Sequence, residues 1–488
     1  MSRKISWLFC IPLGLMIVSS VWAEDLPGVN RLFSDHMVLQ RDRPVPVWGT
    51  AKPGTTITVK FGQQRKTAET GTDGKWRVRL DAMKASAEPA ELTVKSLTGD
   101  KPVTIADVLV GDVWLCSGQS NMEWGMKQFK TEADVAKADF PKIRQTKFGD
   151  GWVVCSPQTA GDFSATSFYF GRRIFQETGI AVGLLYDAVG ATKIESWIPP
   201  DGVNASLALK EIANADYSKL FTQLTQPLIP FAIKGMIWYQ GEANADEGDI
   251  YMHKMIALIT GLRKVWAQPP SLCSGVPGGD PATGAGQAFP FYFVQLPALT
   301  WQEPEPKPEG LTVMAPCRMA QFKTLRVPNT GMAVTIDLGE AENLHPNNKF
   351  DVGMRLAQWA LAKDYGRKDL FCSGPLYKGM KIEGNKIRIS FDYVGNGLMV
   401  GSKTGREPVK EVADGKLKRF AIAAKDGAAP TGLKWFWAEA VIDGNSVVVS
   451  CPEVQQPVAA HYAYNGNPSG CNLYNKDGLP ASPFRTED

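Results

Sequence analysis

Apolar and polar positions alternate in short runs near the start of the chain: Ile57, Val59 and Phe61, then an Asp73-Gly74 turn, then Trp76, Val78 and Leu80. Period-two alternation broken by turn residues predicts hairpins, and so a small β-sandwich over 24–105. From 106 to 366 the texture changes. Apolar runs at 113–116, 181–185, 233–239, 291–296 and 332–336 alternate with segments of helical period, which predicts an α/β domain with a parallel sheet. Its helices are marked by a stop at Gly179 after 168–178, and by Tyr251, Met255, Ile259 and Leu262 on one face. Beyond 366, Ile387, Ile389 and Phe391 alternate again, with turns at Glu383-Gly384-Asn385 and Asp443-Gly444-Asn445, so a second β domain is expected over 367–488. The Pro- and Gly-rich stretch 268–288 has no period and reads as a mobile surface loop.

Composition narrows the class. The 488 residues carry 53 Lys+Arg against 50 Asp+Glu and are 44% hydrophobic, which excludes disorder and leaves room for about three domains. A net charge of +3 provides no basic stripe, so nucleic acid is a poor partner and a small or neutral substrate a better one. Arg3 and Lys4, an apolar run from Ile5 to Val18 and the Val21-Trp22-Ala23 end make residues 1–23 a secretory signal peptide. The mature protein is then exported, periplasmic or extracellular, with no membrane segment left after cleavage. Of eight cysteines, Cys10 leaves with the signal; none of the remaining seven forms a C-x-x-C pair, and one or two disulfides are permitted by export.

Ligands of open parallel sheets collect beyond the carboxyl ends of the strands, so the residues following each apolar run carry the chemistry. They are Ser117-Gly118-Gln119-Ser120-Asn121-Met122, then Asp187-Ala188-Val189-Gly190-Ala191-Thr192, then Gln240-Gly241-Glu242-Ala243-Asn244, and finally Asp337, Glu340, Glu342, Asn343 and His345. A hydroxyl on a glycine turn, an imidazole beside acids and several amides are what acyl transfer asks for. Among the four histidines, only His345 combines a strand end with neighbouring carboxylates; His36 and His461 fall in the β regions and His253 in a helix.

The block Val113-Trp114-Leu115-Cys116-Ser117-Gly118-Gln119-Ser120-Asn121-Met122-Glu123-Trp124 resembles the nucleophile block of the sialate O-acetylesterase family of SGNH-type hydrolases. Further similar blocks come in order at 234–245, 329–334 and Leu344-His345-Pro346 with Lys349, with others at 37–41 and 472–486. The resemblance implies a three-layer α/β/α domain flanked by β domains, which removes acetyl groups from sugars with no metal and no cofactor. It implies Ser120 as nucleophile and His345 as base. The backbone N–H groups of Ser120 and Gly190 would serve as oxyanion donors, with Gln240, or Asn244 in reserve, as the third. Glu342, three residues before His345, takes the place of the family's usual Asp; a Ser-His dyad oriented by Asp337 or a backbone carbonyl is the alternative. Ala191 stands where the family has glycine, and the 268–288 loop resembles an insertion. Gln119 and Trp197 are the candidate substrate contacts.

Other residues have plainer readings: Asp246, Glu247 and Asp249 suit a helix start better than a metal site, Trp238 suits a core, and Arg318 and Gln321 suit a structural role. The expected protein is an exported serine esterase removing O-acetyl groups from sugars, most of all sialate. The alternatives are an acetyl esterase of xylan or pectin fragments, or a non-catalytic carbohydrate-binding protein.

Overall fold

A computed structural model describes residues 28–97, 101–267, 288–300, 306–310, 313–429 and 431–487. The expected signal peptide and nearly all of the 268–288 loop, with Cys273, lie outside the described residues.

The longest strand, Val103–Gly118, organises the molecule around itself. Toward its start it pairs antiparallel with Ser86–Ser96, and Leu109, Val110 and Gly111 pair in parallel with Val38–Gln40. Toward its end it pairs in parallel with Val182–Ala188 on one side and Gly235–Tyr239 on the other. Every residue from Val108 to Gly118 is buried, which is why this stretch reads as apolar without alternation. The one acid within it, Asp112, is met by Gln40 Nε2 at 2.9 Å and by Arg41 Nε at 3.0 Å, so the 37–41 block locks the first β region onto the sheet.

In space the strands run Trp152–Cys155, Phe140–Lys147, Val182–Ala188, Val103–Gly118, Gly235–Tyr239, Phe291–Val294 and Thr330–Ala333. All neighbours are parallel except the first pair. The five apolar runs thus form strands of a mixed α/β fold, as expected. The strand Phe140–Lys147 has no counterpart in the apolar pattern, because Arg144 and Gln145 are buried through bonds rather than hydrophobicity. Arg144 is held by Asp107 and the His36 carbonyl, and Gln145 accepts the Ser164 N–H.

Helix Ala165–Thr178 is capped by the Ser164 side chain and ends at Gly179 with φ 69°, so the expected stop is where the helix ends. It packs on helix Lys349–Asp364 through Gly353, where a Cβ would lie 2.7 Å from the Phe170 nitrogen. Helices Asp249–Ala267 and Met314–Thr324 form a second pair.

In the first β region the expected hairpin between the two apolar runs does not form. Thr56–Phe61 pairs with Gln64–Glu69, whereas Lys75–Leu80 pairs with Val45–Thr50, so the Asp73-Gly74 turn carries the chain from one sheet to another. The intervening strand is partly or fully exposed at every position and has no apolar signature. At the other end, Glu383-Gly384-Asn385 and Asp443-Gly444-Asn445 do turn hairpins, joining Leu376–Glu383 to Lys386–Asp392 and Glu439–Asp443 to Ser446–Ser450. Ile387, Ile389, Val447, Val449 and Phe484 share a hydrophobic core there. Among the described cysteines all six are free thiols. No helix of the described residues is long and apolar enough to cross a membrane.

Candidate active site

The long strand has neighbours on either side that come from different parts of the chain, which makes its carboxyl end a switch point, the place where open sheets of this kind bind their ligands. The backbone leaves it through Gly118 at φ 143°, where a Cβ would lie 2.1 Å from the Tyr239 carbonyl oxygen. Only glycine allows that approach, and the next residue, Gln119, donates its N–H to the same carbonyl at 3.0 Å. The turn ends in the one-turn helix Ser120–Glu123, with Ser120 only 7% exposed. Its Oγ lies 2.9 Å from His345 Nε2, although the two residues are 225 positions apart. The imidazole stacks on Trp124 with ring centroids 3.8 Å apart and planes 22° apart. Burial and the nearby Lys349 hold the His345 pKa below its ordinary value, which favours the neutral ring that can accept a proton.

The base sits on a tightly pinned loop. Glu340 accepts from Asn343 Nδ2 at 2.8 Å and from the Asn347 N–H at 2.7 Å, and Asn343 Oδ1 accepts the His345 N–H at 2.9 Å. Glu340 is therefore the acid that shapes this loop. Glu342 is exposed and makes no hydrogen bond to the ring, so the structure does not bring it to His345. Asp337 is not there either: it forms a buried bidentate pair with Arg355 at 2.6 and 2.7 Å. No protein group among the described residues bonds Nδ1 of His345.

The expected oxyanion donors are distributed differently. Gly190 does lie beside the serine, since a Cβ on it would be 3.5 Å from Ser120 Cβ, but its N–H donates to the Glu123 carboxylate at 2.6 Å. The Ser120 N–H has no protein acceptor among the described residues. Gln240 is fully buried and its Nε2 is spent on Gln119 Oε1, the Thr192 carbonyl and Asn244 Oδ1. Asn244 donates to Glu195 and Glu247, whose charges are met by Lys254 at 2.6 and 2.5 Å. Both amides thus support the crevice from behind and do not face it. Gln119 differs. Its Oε1 accepts the Ala243 N–H at 3.3 Å, a backbone donor that fixes which end of the amide is oxygen. Its Nε2 has no protein acceptor among the described residues.

Trp197 is 2% exposed and donates to Thr192 Oγ1, with Trp238 edge-on at 6.2 Å. It is core, contrary to the expectation of a rim residue, because the short helix Ile194–Trp197 turns the ring back toward the sheet. Ala191 is exposed at φ 57°, so an alanine here carries backbone strain in a region that favours glycine. Asn121 and Glu242 are the residues that sequence reasoning missed: Asn121 Nδ2 bonds Glu242 Oε1 at 2.5 Å and the Leu344 carbonyl at 3.0 Å. Their positions, one after the nucleophile and two after Gln240, are a signal only once the strands are known to be adjacent. Among the described residues no three His, Cys, Asp or Glu side chains gather as a metal site.

Residues 110–273 match the family described as carbohydrate esterase, sialic acid-specific acetylesterase. The sialate O-acetylesterases of Homo sapiens and Pongo abelii are 28% and 27% identical, each alignment spanning 97% of this chain and 95% of the relative. A solved carbohydrate acetylesterase from Xanthomonas citri superposes with a TM-score of 0.80 at 35% identity, covering 94% of this chain and 99% of that one. A likeness of that extent runs over nearly the whole chain, and it sets aside a merely carbohydrate-binding role. The chain belongs to the sialic acid-specific acetylesterase family of carbohydrate esterases, and it is a carboxylic ester hydrolase.

Proposed function

We propose that this protein is an exported serine esterase that removes O-acetyl groups from sugars, with sialate as the leading substrate class, through an acetyl-serine intermediate. The observation that carries the serine mechanism is the 2.9 Å contact between Ser120 Oγ and His345 Nε2 at the mouth of the sheet. His345 Nε2 takes the hydroxyl proton while Oγ adds to the acetyl carbonyl. The negative charge formed on the carbonyl oxygen falls to the Ser120 N–H and, once the Glu123 carboxylate has moved off it, to the Gly190 N–H. As the tetrahedral adduct collapses, the proton on Nε2 goes to the departing sugar oxygen. Water, deprotonated by the same nitrogen, then releases acetate and restores the serine.

The base works in a Ser-His dyad, with Trp124 holding the ring plane where a carboxylate would otherwise orient it. Gln119 Nε2 is a donor for the acyl oxygen or the sugar. We also read the helices about the parallel sheet as the three-layer SGNH arrangement, the β regions at 24–105 and 367–488 as flanking domains, and residues 1–23 as the export signal. The chemistry is tested by Ser120→Ala, which should abolish acetate release with the thermal midpoint nearly unchanged; turnover within about tenfold of wild type would refute it. The substrate class is tested by acetate release from O-acetyl sialate against acetylated xylan and pectin fragments, and preference for the latter would move the protein to plant polysaccharides.

A further inference from the structure

Among the described residues no carboxylate bonds the ring of His345, yet the peptide on each side of it is held from the protein interior. The Leu344 carbonyl, one residue before, accepts from Asn121 Nδ2 at 3.0 Å. The Pro346 carbonyl, one residue after, accepts from Lys349 Nζ at 2.6 Å. Asn121 immediately follows the nucleophile, so its amide ties the backbone beside the base to the turn that carries Ser120. It is itself held by Glu242 Oε1 at 2.5 Å, from the turn after Gly235–Tyr239.

Glu242 is 4% exposed, and burial pushes its carboxyl up. Lys349 is also buried, under the rings of Phe129 at 4.6 Å and Tyr239 at 5.8 Å, with its pKa pulled down to about 7 by burial. Two buried ionisable groups are costly unless something is gained by keeping them. Here each ends, directly or through Asn121, on a carbonyl flanking the base.

We propose that Asn121, Glu242 and Lys349 are positioning residues for His345, clamping the backbone on both sides of the base in place of an acid on its ring. The inference rests on the reading of Ser120 and His345 as nucleophile and base. A misplacement of about 1 Å between reacting groups costs up to 10²-fold in rate, so the clamp has a kinetic signature. Lys349 has an electrostatic one too. The charged groups about the ring are Lys349 and Glu340 on its own segment, Glu242 on the turn after Gly235–Tyr239, and Glu123 on the nucleophile helix. Of these, Lys349 is the one that acts on the titration of the ring.

The test uses the full mature chain and p-nitrophenyl acetate, with Asn121→Ala, Glu242→Gln and Lys349→Met beside Ser120→Ala. Asn121→Ala should lower kcat by roughly ten- to a hundredfold with KM within about threefold, and slow labelling of Ser120 by a phosphonate in the same proportion. Glu242→Gln, which keeps an oxygen for Asn121, should retain most of the wild-type kcat. Lys349→Met should lower kcat and also move the acid limb of kcat/KM to higher pH, because loss of the cation makes His345 easier to protonate. A merely structural role would lower the thermal midpoint of all three with kcat per folded molecule and the acid limb unchanged, and that result overturns the inference. If Ser120→Ala itself stays active, the underlying reading has failed; if it is dead while Asn121→Ala and Lys349→Met turn over like wild type, only the clamp has.

Discussion

His345 stops being a base when it is protonated, and both burial and Lys349 resist that protonation. Because the folded pKa lies below the ordinary histidine value, the acid limb of kcat/KM should fall at a pH below about 6.5. A pH profile with its midpoint above that value would contradict the environment described. Ser120 and His345 were legible from the sequence because serine on a glycine turn recurs at strand ends and only four histidines compete. The acid was not, since a spacing of three says nothing about the hydrogen bonds that turn a loop. Glu340 supplies those, and Glu342 is left in solvent. Glu342→Gln should accordingly leave turnover within about twofold of wild type, as surface changes usually do. Asp337→Asn should instead cost stability, roughly 3–5 kcal/mol by thermal or denaturant unfolding, through the stranded Arg355. The Glu123 carboxylate on the Gly190 N–H competes with any anion that seeks the same donor. Glu123→Ala should therefore tighten inhibition by acetate about tenfold, measured as the change in its inhibition constant.

Strands and helices were readable where burial is achieved by apolar side chains alone. The runs about 113–116, 181–185 and 233–239 needed no context, whereas Phe140–Lys147 carries a buried arginine and glutamine whose partners come from other elements. Gln64–Glu69 was hidden for the opposite reason, being exposed enough to have no apolar face. The most demanding junction is the exit of the long strand at Gly118, since an added Cβ would strike the Tyr239 carbonyl. Gly118→Ala should separate the strand ends that hold Gln119 and Tyr239 together. The expected result is loss of ester turnover with a thermal midpoint lowered by several degrees, read by calorimetry on the same preparation.

The last β region is fastened to the rest of the molecule by Arg318, a fully buried guanidinium whose donors reach the carbonyls of Leu296 and Pro297 on one side and of Asn465 and Gly466 on the other. With no carboxylate in contact among the described residues, burial pulls its pKa down to about 10. Arg318→Met would strand those carbonyls, and limited proteolysis should then release a fragment beginning after residue 366 faster than from wild type, with a stability loss on the order of 3 kcal/mol. At the other end the joint is made by the backbone as well, because Val103–Gly118 belongs to both the first β region and the sheet that carries the serine. A joint made of one continuous strand cannot be exchanged like a bead on a string. A fragment begun at residue 106 would open with Val108, Leu109 and Val110 stripped of their partners on Ser86–Ser96 and Val38–Gln40, a bare apolar edge ready to recruit another chain. Recombination that replaced the first hundred residues would have to bring a half-strand already fitted to this one, so the two regions are bound to be inherited together.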